Sequence, residues 1–288
     1  MVKNKYKFTI VILTYNTPYE KLKLSVDSVL KQKFDSLQLI ISDDSTEKTD
    51  LEQIAEYLES SGFQNYKIRK NVKNLGTVKN CYNALKEADG DYVKILGAGD
   101  YLYDEKTVSK MYNFLCNNGY KLGFGRLLNY TTDKIGVIKK GKEYKVPVNI
   151  GIYKKNCESF IAEVNTLVCR DYISGASMFG KKSKMIHYIR MLVNVSRYSE
   201  DIFQILVYAE GDRFYFLDDY IVNYEYGTGI STNKKNQFKK LLEKDINHSV
   251  ELATHKYNRK RIYCWLLKKG NDRNSLLVKL MRRILMKL

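Results

Sequence analysis

Proline occurs only twice in this 288-residue chain, at Pro18 and Pro147, so no proline-rich linker divides it. The five cysteines (Cys81, Cys116, Cys157, Cys169, Cys264) form no CxxC pair. An odd count without a signal-peptide pattern points to reduced cytosolic thiols rather than a disulfide framework. The three histidines, His187, His248 and His255, are too few and too scattered for a zinc site. No apolar run approaches the roughly 18 residues that span a bilayer. Internal repeats and low-complexity tracts are lacking as well. What is left is one large α/β domain or two lobes, long enough to bury a sizeable core.

Charge is abundant and uneven. The chain carries a net +17. From Asn233 to Leu288 stand 16 Lys/Arg against 4 Asp/Glu, which places +12 of that total in the last 56 residues. A basic tail suits an anionic partner, nucleic acid or a membrane surface. No nucleic-acid-binding motif or interleaved aromatic-basic surface pattern accompanies it, so nucleic acid is not expected.

The first hundred residues alternate between two periodicities. Lys7 to Thr14 is a near-continuous β-rich run, as in a strand buried on both faces. Pro18 opens a helix with Leu22, Val26, Val29 and Leu30 on one face. Leu37 to Ser42 reads as a second strand; Asp43 to Thr46 ends it and can cap a helix near Leu51 to Leu58. A third strand is expected at Tyr66 to Arg69, a helix from Leu75 to Asp89-Gly90, and a fourth strand at Tyr92 to Leu96. Strands alternating with helices imply a parallel sheet with right-handed crossovers, whose ligands bind beyond the carboxyl ends of the strands. Those ends carry Thr14-Tyr15-Asn16, Asp43-Asp44 and Gly97-Ala98-Gly99-Asp100, which should share one rim. The last of these joins glycines, which admit a ligand close to the backbone, to a carboxylate suited to a divalent cation. Beyond residue 105 the pattern is mixed. Tyr172 to Phe179 reads as extended, Ser199-Glu200-Asp201 precedes an apolar helical run, and Phe214 to Tyr226 reads as one or two strands around an Asp218-Asp219 turn. From Lys234 onward the chain looks helical.

In order and spacing, Ile12 to Asn16, Asp27 to Gln32, Ile41 to Ser45, Asn74-Leu75-Gly76 with Lys79-Asn80, Gly90-Asp91-Tyr92 and Gly99-Asp100 resemble a family-2 glycosyltransferase with the GT-A fold. The likeness is strong over residues 7 to 103, weaker over 172 to 232, and absent from the tail. Tyr226 to Ser231 and the Glu200-Asp201 pair look most like bacterial transferases that build surface polysaccharides.

The resemblance implies a Rossmann-like, mostly parallel central sheet flanked by helices; the basic helical C-terminal extension is read from the charge and pattern of the tail itself. It divides the chain into a nucleotide-sugar half (1–105), an acceptor half (106–232) and the extension (233–288). Thr14, Tyr15 and Asn16 match the segment on the base and ribose, Asp43 the base-recognising acid, and Asp44 its neighbour. Gly76 and Lys79 match the loop and basic residue near the phosphates. Gly99 and Asp100 match the end of the Asp-rich motif that holds Mn²⁺ or Mg²⁺. Glu200-Asp201 match the acidic pair that supplies the general base, with Asp201 favoured. Many members place two or three Asp residues where this chain has Gly97-Ala98-Gly99-Asp100, so the diphosphate is expected to supply much of the metal's coordination.

The implied activity is inverting transfer from a nucleotide sugar, UDP-linked by preference, to a glycan or lipid-linked hydroxyl. The alternative is a non-catalytic partner of another transferase. Taken singly, each residue also has a plain structural use: Asp43-Asp44 as a helix cap, Glu200-Asp201 as a charge complement to a helix N-terminus, Tyr15 as packing. As a helix, Ser275 to Leu288 sets Lys279, Arg282, Arg283 and Lys287 along one sector and Leu277, Leu280, Met281, Ile284, Leu285 and Leu288 around the rest. That suits peripheral attachment to the inner face of the cytoplasmic membrane, and equally a helix packed on the domain.

Overall fold

The computed structural model describes residues 5–47, 49–132, 138–154, 159–227, 229, 236–256 and 275–285. Among the described residues nine strands form one sheet: β1 (Tyr6–Thr14), β2 (Leu37–Asp43), β3 (Tyr66–Lys70), β4 (Gly90–Gly97), β5 (Tyr101–Leu102), β6 (Leu122–Thr132), β7 (Ile138–Tyr144), β8 (Met178–Lys181) and β9 (Tyr215–Glu225). Their order is β3-β2-β1-β4-β8-β6-β9-β5, with β7 added against β6. The expected parallel sheet is β3-β2-β1-β4. Beyond β4 the sheet becomes mixed, because β8 runs antiparallel to both β4 and β6. The fold is GT-A.

Two helical layers cover the sheet. One face carries α1 (Tyr19–Leu30), α2 (Leu51–Ser60) and α4 (Thr107–Asn118). The other carries α3 (Thr77–Glu87), α5 (Ser159–Val164), α6 (Lys182–Leu192), α7 (Gln204–Ala209), α8 (Asn236–Lys256) and α9 (Leu276–Leu285). Strand β1 shows why both layers are needed. Phe8, Ile10 and Ile12 enter one core and Val11 the other, all fully buried, as a period of two dictates. Each such side chain contributes about 1.5–3 kcal/mol on burial.

Several elements depart from expectation. The residues 43–46 do not cap α2; Asp50 takes the N-cap position, while the carboxylates of Asp43 and Asp44 are engaged elsewhere. Helix α3 starts at Thr77 rather than Leu75, because Asp44 holds the amides of Leu75 and Gly76 outside the helix. Gly175–Ser177 forms a 3₁₀ turn before β8, not extended chain. Strand β9 is one strand through Asp218-Asp219, where its register against β6 shifts in a bulge rather than a turn; Asp218 pairs with Arg126 and Asp219 with Lys110. In the tail, α8 and α9 are helical, and 257–274 lie outside the described residues. Thr228 and residues 230–235, within the expected small-residue loop and its continuation, also lie outside them. No helix among the described residues is long and apolar enough to cross a membrane. Among the described residues, Cys81 and Cys116 are free thiols.

Candidate active site

Register brings the donor-side residues together. Thr14 is paired with Asp43, and Leu13 with Gly97 across the other neighbour. The chain leaving each strand is stitched to the next: Asp44 N–H donates to the Thr14 carbonyl (2.9 Å), Ala98 N–H to Leu13 (2.8 Å) and Asn71 N–H to Asp43 (2.8 Å). Asn16 adopts a left-handed φ of 48° and donates its amide to Ser45 Oγ at 2.6 Å. Tyr15 beside it stands 52% exposed over the rim.

The two neighbouring aspartates have different partners. Asp43 is 1% exposed; its Oδ1 accepts from the Ser45 hydroxyl (2.6 Å) and amide (3.3 Å), while its Oδ2 is buried without a partner. An orphaned buried acceptor costs about 1–3 kcal/mol, which a ligand N–H can recover. Asp44 is saturated by protein: Leu75 N–H and Asn71 Nδ2 donate to Oδ1, and Gly76 N–H to Oδ2, at 2.8–3.0 Å. It shapes the loop ahead of α3. Gly76 sits there at φ 85°, where a Cβ would lie 2.5 Å from the Arg197 side chain and 2.7 Å from its carbonyl. Lys79 is exposed on the first turn of α3 and stands outside this network.

The loop after β4 is clamped from three sides. Ser25 Oγ accepts Gly99 N–H (2.9 Å) and donates to the Asp100 carbonyl (2.7 Å), and the Tyr130 hydroxyl donates to the Gly99 carbonyl. Asp100 Oδ1 accepts Glu225 N–H at 2.9 Å, which leaves Oδ2 for a cation. Gly99, at φ 104°, lets the Glu225 carboxylate approach; a Cβ there would lie 2.7 Å from Oε2. Lys21 pairs with Glu225 at the same edge. Burial pushes Asp100 up to about 7, opposed by the Glu225 amide and Lys94. No group of three or more His, Cys, Asp or Glu side chains converges among the described residues. A metal held at Asp100 would therefore take most of its ligands from a donor diphosphate and water, which suits Mg²⁺ or Mn²⁺.

Glu200 and Asp201 form a 3₁₀ turn ahead of α7, half-buried. Asp201 Oδ2 accepts the Gly175 amide at 3.3 Å. Gln204 fastens the turn: its Nε2 donates to the carbonyls of Asp201 (3.0 Å) and Ile173 (3.1 Å), and its Oε1 accepts Ile173 N–H (2.8 Å). Burial raises both acids. The Asp201 charge raises Glu200 further, whereas the Gly175 amide and its own turn restrain Asp201. Asp201 is thus the first of the pair to ionise.

Lys94 links the two sides. It is fully buried in β4, and its ammonium donates to the carbonyls of Ile95 (2.7 Å) and Ala176 (2.6 Å). Desolvation lowers it to about 7, against the pull of Asp100 and Glu200. Sequence reasoning passed over it, though the signal was present: one lysine inside the apolar run Val93 to Leu96. Gln204, Gly175 and Glu225 carried no comparable signal. Beside the acidic pair, the Tyr144 ring stacks on Tyr224 (5.4 Å, 8°) and meets Tyr226 edge-on (5.7 Å). Burial raises the Tyr144 hydroxyl, and Tyr226 and the Asp201 charge add to it.

Residues 9–164 match the family described as glycosyl transferase family 2. An uncharacterized glycosyltransferase of Methanocaldococcus jannaschii is 24% identical over 264 residues, 89% of this chain and 83% of that protein. Among solved structures, TarS of S. aureus aligns with a TM-score of 0.61 at 16% identity over 94% of this chain; the chain spans only 44% of TarS. TarS 1-349 has been solved with UDP and with UDP-GlcNAc. The mannosyltransferase PcManGT of Pyrobaculum calidifontis, solved with GDP-Man and Mn²⁺, aligns with a TM-score of 0.59 at 12% identity, over 98% of this chain and 80% of that one.

Proposed function

The chain belongs to glycosyl transferase family 2, and on that premise we propose that this glycosyltransferase moves a sugar from a UDP-sugar to a hydroxyl of a glycan or lipid-linked acceptor, with inversion. Surface-polysaccharide synthesis is the setting suggested by the likeness of the Tyr226 to Ser231 sequence and the Glu200-Asp201 pair to bacterial transferases of that kind. The observation that carries the reading is Lys94: buried in β4, it donates to the Ala176 carbonyl and lies within the electrostatic reach of both Asp100 and Glu200, so the strand-end rim and the turn of the acidic pair are neighbours.

Asp43 favours uracil. With Oδ1 committed to Ser45, it offers one acceptor, which matches the single imide N–H of uracil. The guanine edge presents adjacent N–H groups that call for two. Asp100 Oδ2 would hold a divalent ion jointly with the diphosphate. Such an ion, when bound, neutralises the charge that develops on the departing UDP. Asp201 takes the proton of the acceptor hydroxyl. The acceptor oxygen then bonds to the anomeric carbon from the face opposite UDP, and the carbon–oxygen bond to phosphate breaks with its electron pair leaving on UDP. One displacement inverts the centre. The Tyr144 and Tyr226 rings, the first backed by buried Tyr224, supply aromatic surface near Asp201, suited to the apolar face of an acceptor sugar.

Helix α9 supports attachment to the inner face of the cytoplasmic membrane. Val278, Met281 and Leu285 pack on the domain, while Leu276, Leu280 and Ile284 are exposed with Lys279 and Arg283. An apolar stripe flanked by cations suits anionic lipid headgroups. Leu280→Glu with Ile284→Glu should abolish co-sedimentation with anionic vesicles; unchanged binding would remove this part of the reading.

Calorimetric titration with UDP and GDP, with and without Mn²⁺, tests the donor site. UDP should bind more tightly than GDP, and Mn²⁺ should strengthen UDP binding in the wild type but not in Asp100→Ala. Failure of both nucleotides to bind would contradict the reading.

A further inference from the structure

We propose that Asp245, on α8 of the C-terminal extension, is a positioning residue for the Glu200–Asp201 pair. The extension is then part of the active site rather than an appendage to it. The inference rests on the assignment of Asp201 as general base.

Asp245 is 6% exposed, and its Oδ2 accepts three consecutive amides: Arg197 (3.1 Å), Tyr198 (2.7 Å) and Ser199 (3.2 Å). Successive amides that converge on one anion form a nest, and hydrogen bonds to a carboxylate are about twice as strong as neutral ones. Ser199 is the N-cap residue of the turn that begins with Glu200. Fixing those three amides therefore fixes the direction in which the acidic pair leaves the loop.

The same loop is tied to the donor side. The Arg197 carbonyl accepts Val78 N–H at 3.1 Å, the Arg197 guanidinium donates to the Asn74 carbonyl at 3.3 Å, and its side chain fills the space that Gly76 leaves open. Asp245 thus holds a three-residue bridge, Arg197 to Ser199, between the start of α3 and the acidic pair. Its own footing is firm, because Val250 and Ala253 anchor α8 in the core.

Helix stability does not explain an aspartate at this position. It sits mid-helix, where Asp is a weak helix former, and it is buried, where a carboxylate is costly unless its hydrogen bonds are made. The loop amides supply those bonds; its neighbours along α8 do not.

The test compares full-length Asp245→Ala, Asp245→Asn, Ser249→Ala and Asp201→Asn. It uses UDP release from the bound UDP-sugar with acceptor present, UDP affinity by calorimetry, and Tm. Asp245→Ala should lower kcat about 10–100-fold, the size of effect that a displacement near 1 Å produces, with UDP affinity within about twofold of wild type. Asp245→Asn keeps one acceptor oxygen and should fall between the two. Ser249→Ala, on the same helix, should match wild type. If the alanine variant does not fold, Asp245→Asn decides by the same criteria. A kcat within twofold of wild type in the Asp245 variants would overturn the proposal, and so would a parallel fall of kcat, UDP affinity and Tm. Retained activity in Asp201→Asn would instead unseat the base assignment and the proposal with it, whatever Asp245 does.

Discussion

The two sides of the proposed site are held in different ways. On the donor side, Thr14, Asp43 and Gly97 stand at the ends of neighbouring parallel strands, fixed by the sheet ladder. On the acceptor side, Glu200 and Asp201 stand on a short turn off the sheet. Gln204, the Gly175 amide and Asp245 hold them there, through one to three hydrogen bonds each. A ladder spreads positional control over many cooperative bonds, whereas a clamp concentrates it in single side chains. The donor side should therefore lose affinity when a contacting atom is changed, and the acceptor side should lose rate when a supporting atom is changed.

Gln204→Leu gives the largest effect expected of this contrast short of removing the acidic pair. It strands both backbone groups of Ile173 and frees the turn at Asp201. Stability should fall by about 1–3 kcal/mol and kcat by roughly tenfold or more, with UDP affinity unchanged; an equal loss of UDP affinity would break the contrast. The pH profile comes next. Because burial raises Asp201, the base is protonated at pH values where an ordinary aspartate, near 3.9, is ionised. Activity should be lost as pH falls through that raised value, so the acid limb of kcat should lie well above pH 4. Asp43→Asn sharpens the donor side. UDP affinity should weaken about tenfold, equivalent to about 1.4 kcal/mol, while kcat at saturating donor stays near wild type.

The donor side was legible in the sequence because its information is local. Strands β1, β2 and β4 show as apolar runs, and each site residue follows directly on its strand, so periodicity alone set Thr14, Asp43 and Gly97 on one rim. The ordered motifs also pointed to the family that the chain proved to belong to. The acceptor side was legible only as the pair Glu200-Asp201. Its supports lie far apart in sequence: Asp245 binds amides 46 to 48 positions away, and Lys94 reaches Ala176 across 82. No window of periodicity spans such distances. Asp43-Asp44 shows the limit on the donor side as well. As sequence the two acids look alike and resemble a helix cap; the fold leaves one with an open oxygen and saturates the other with loop amides.

The division of labour between the two sides is tested most directly by Asp201→Asn, measured for UDP-sugar affinity and for sugar transfer on the same preparation. Donor affinity within about twofold of wild type, with transfer reduced at least 100-fold, a loss of about 2.7 kcal/mol of transition-state stabilisation, is the result this account predicts. Transfer retained, or donor affinity lost together with transfer, would contradict it.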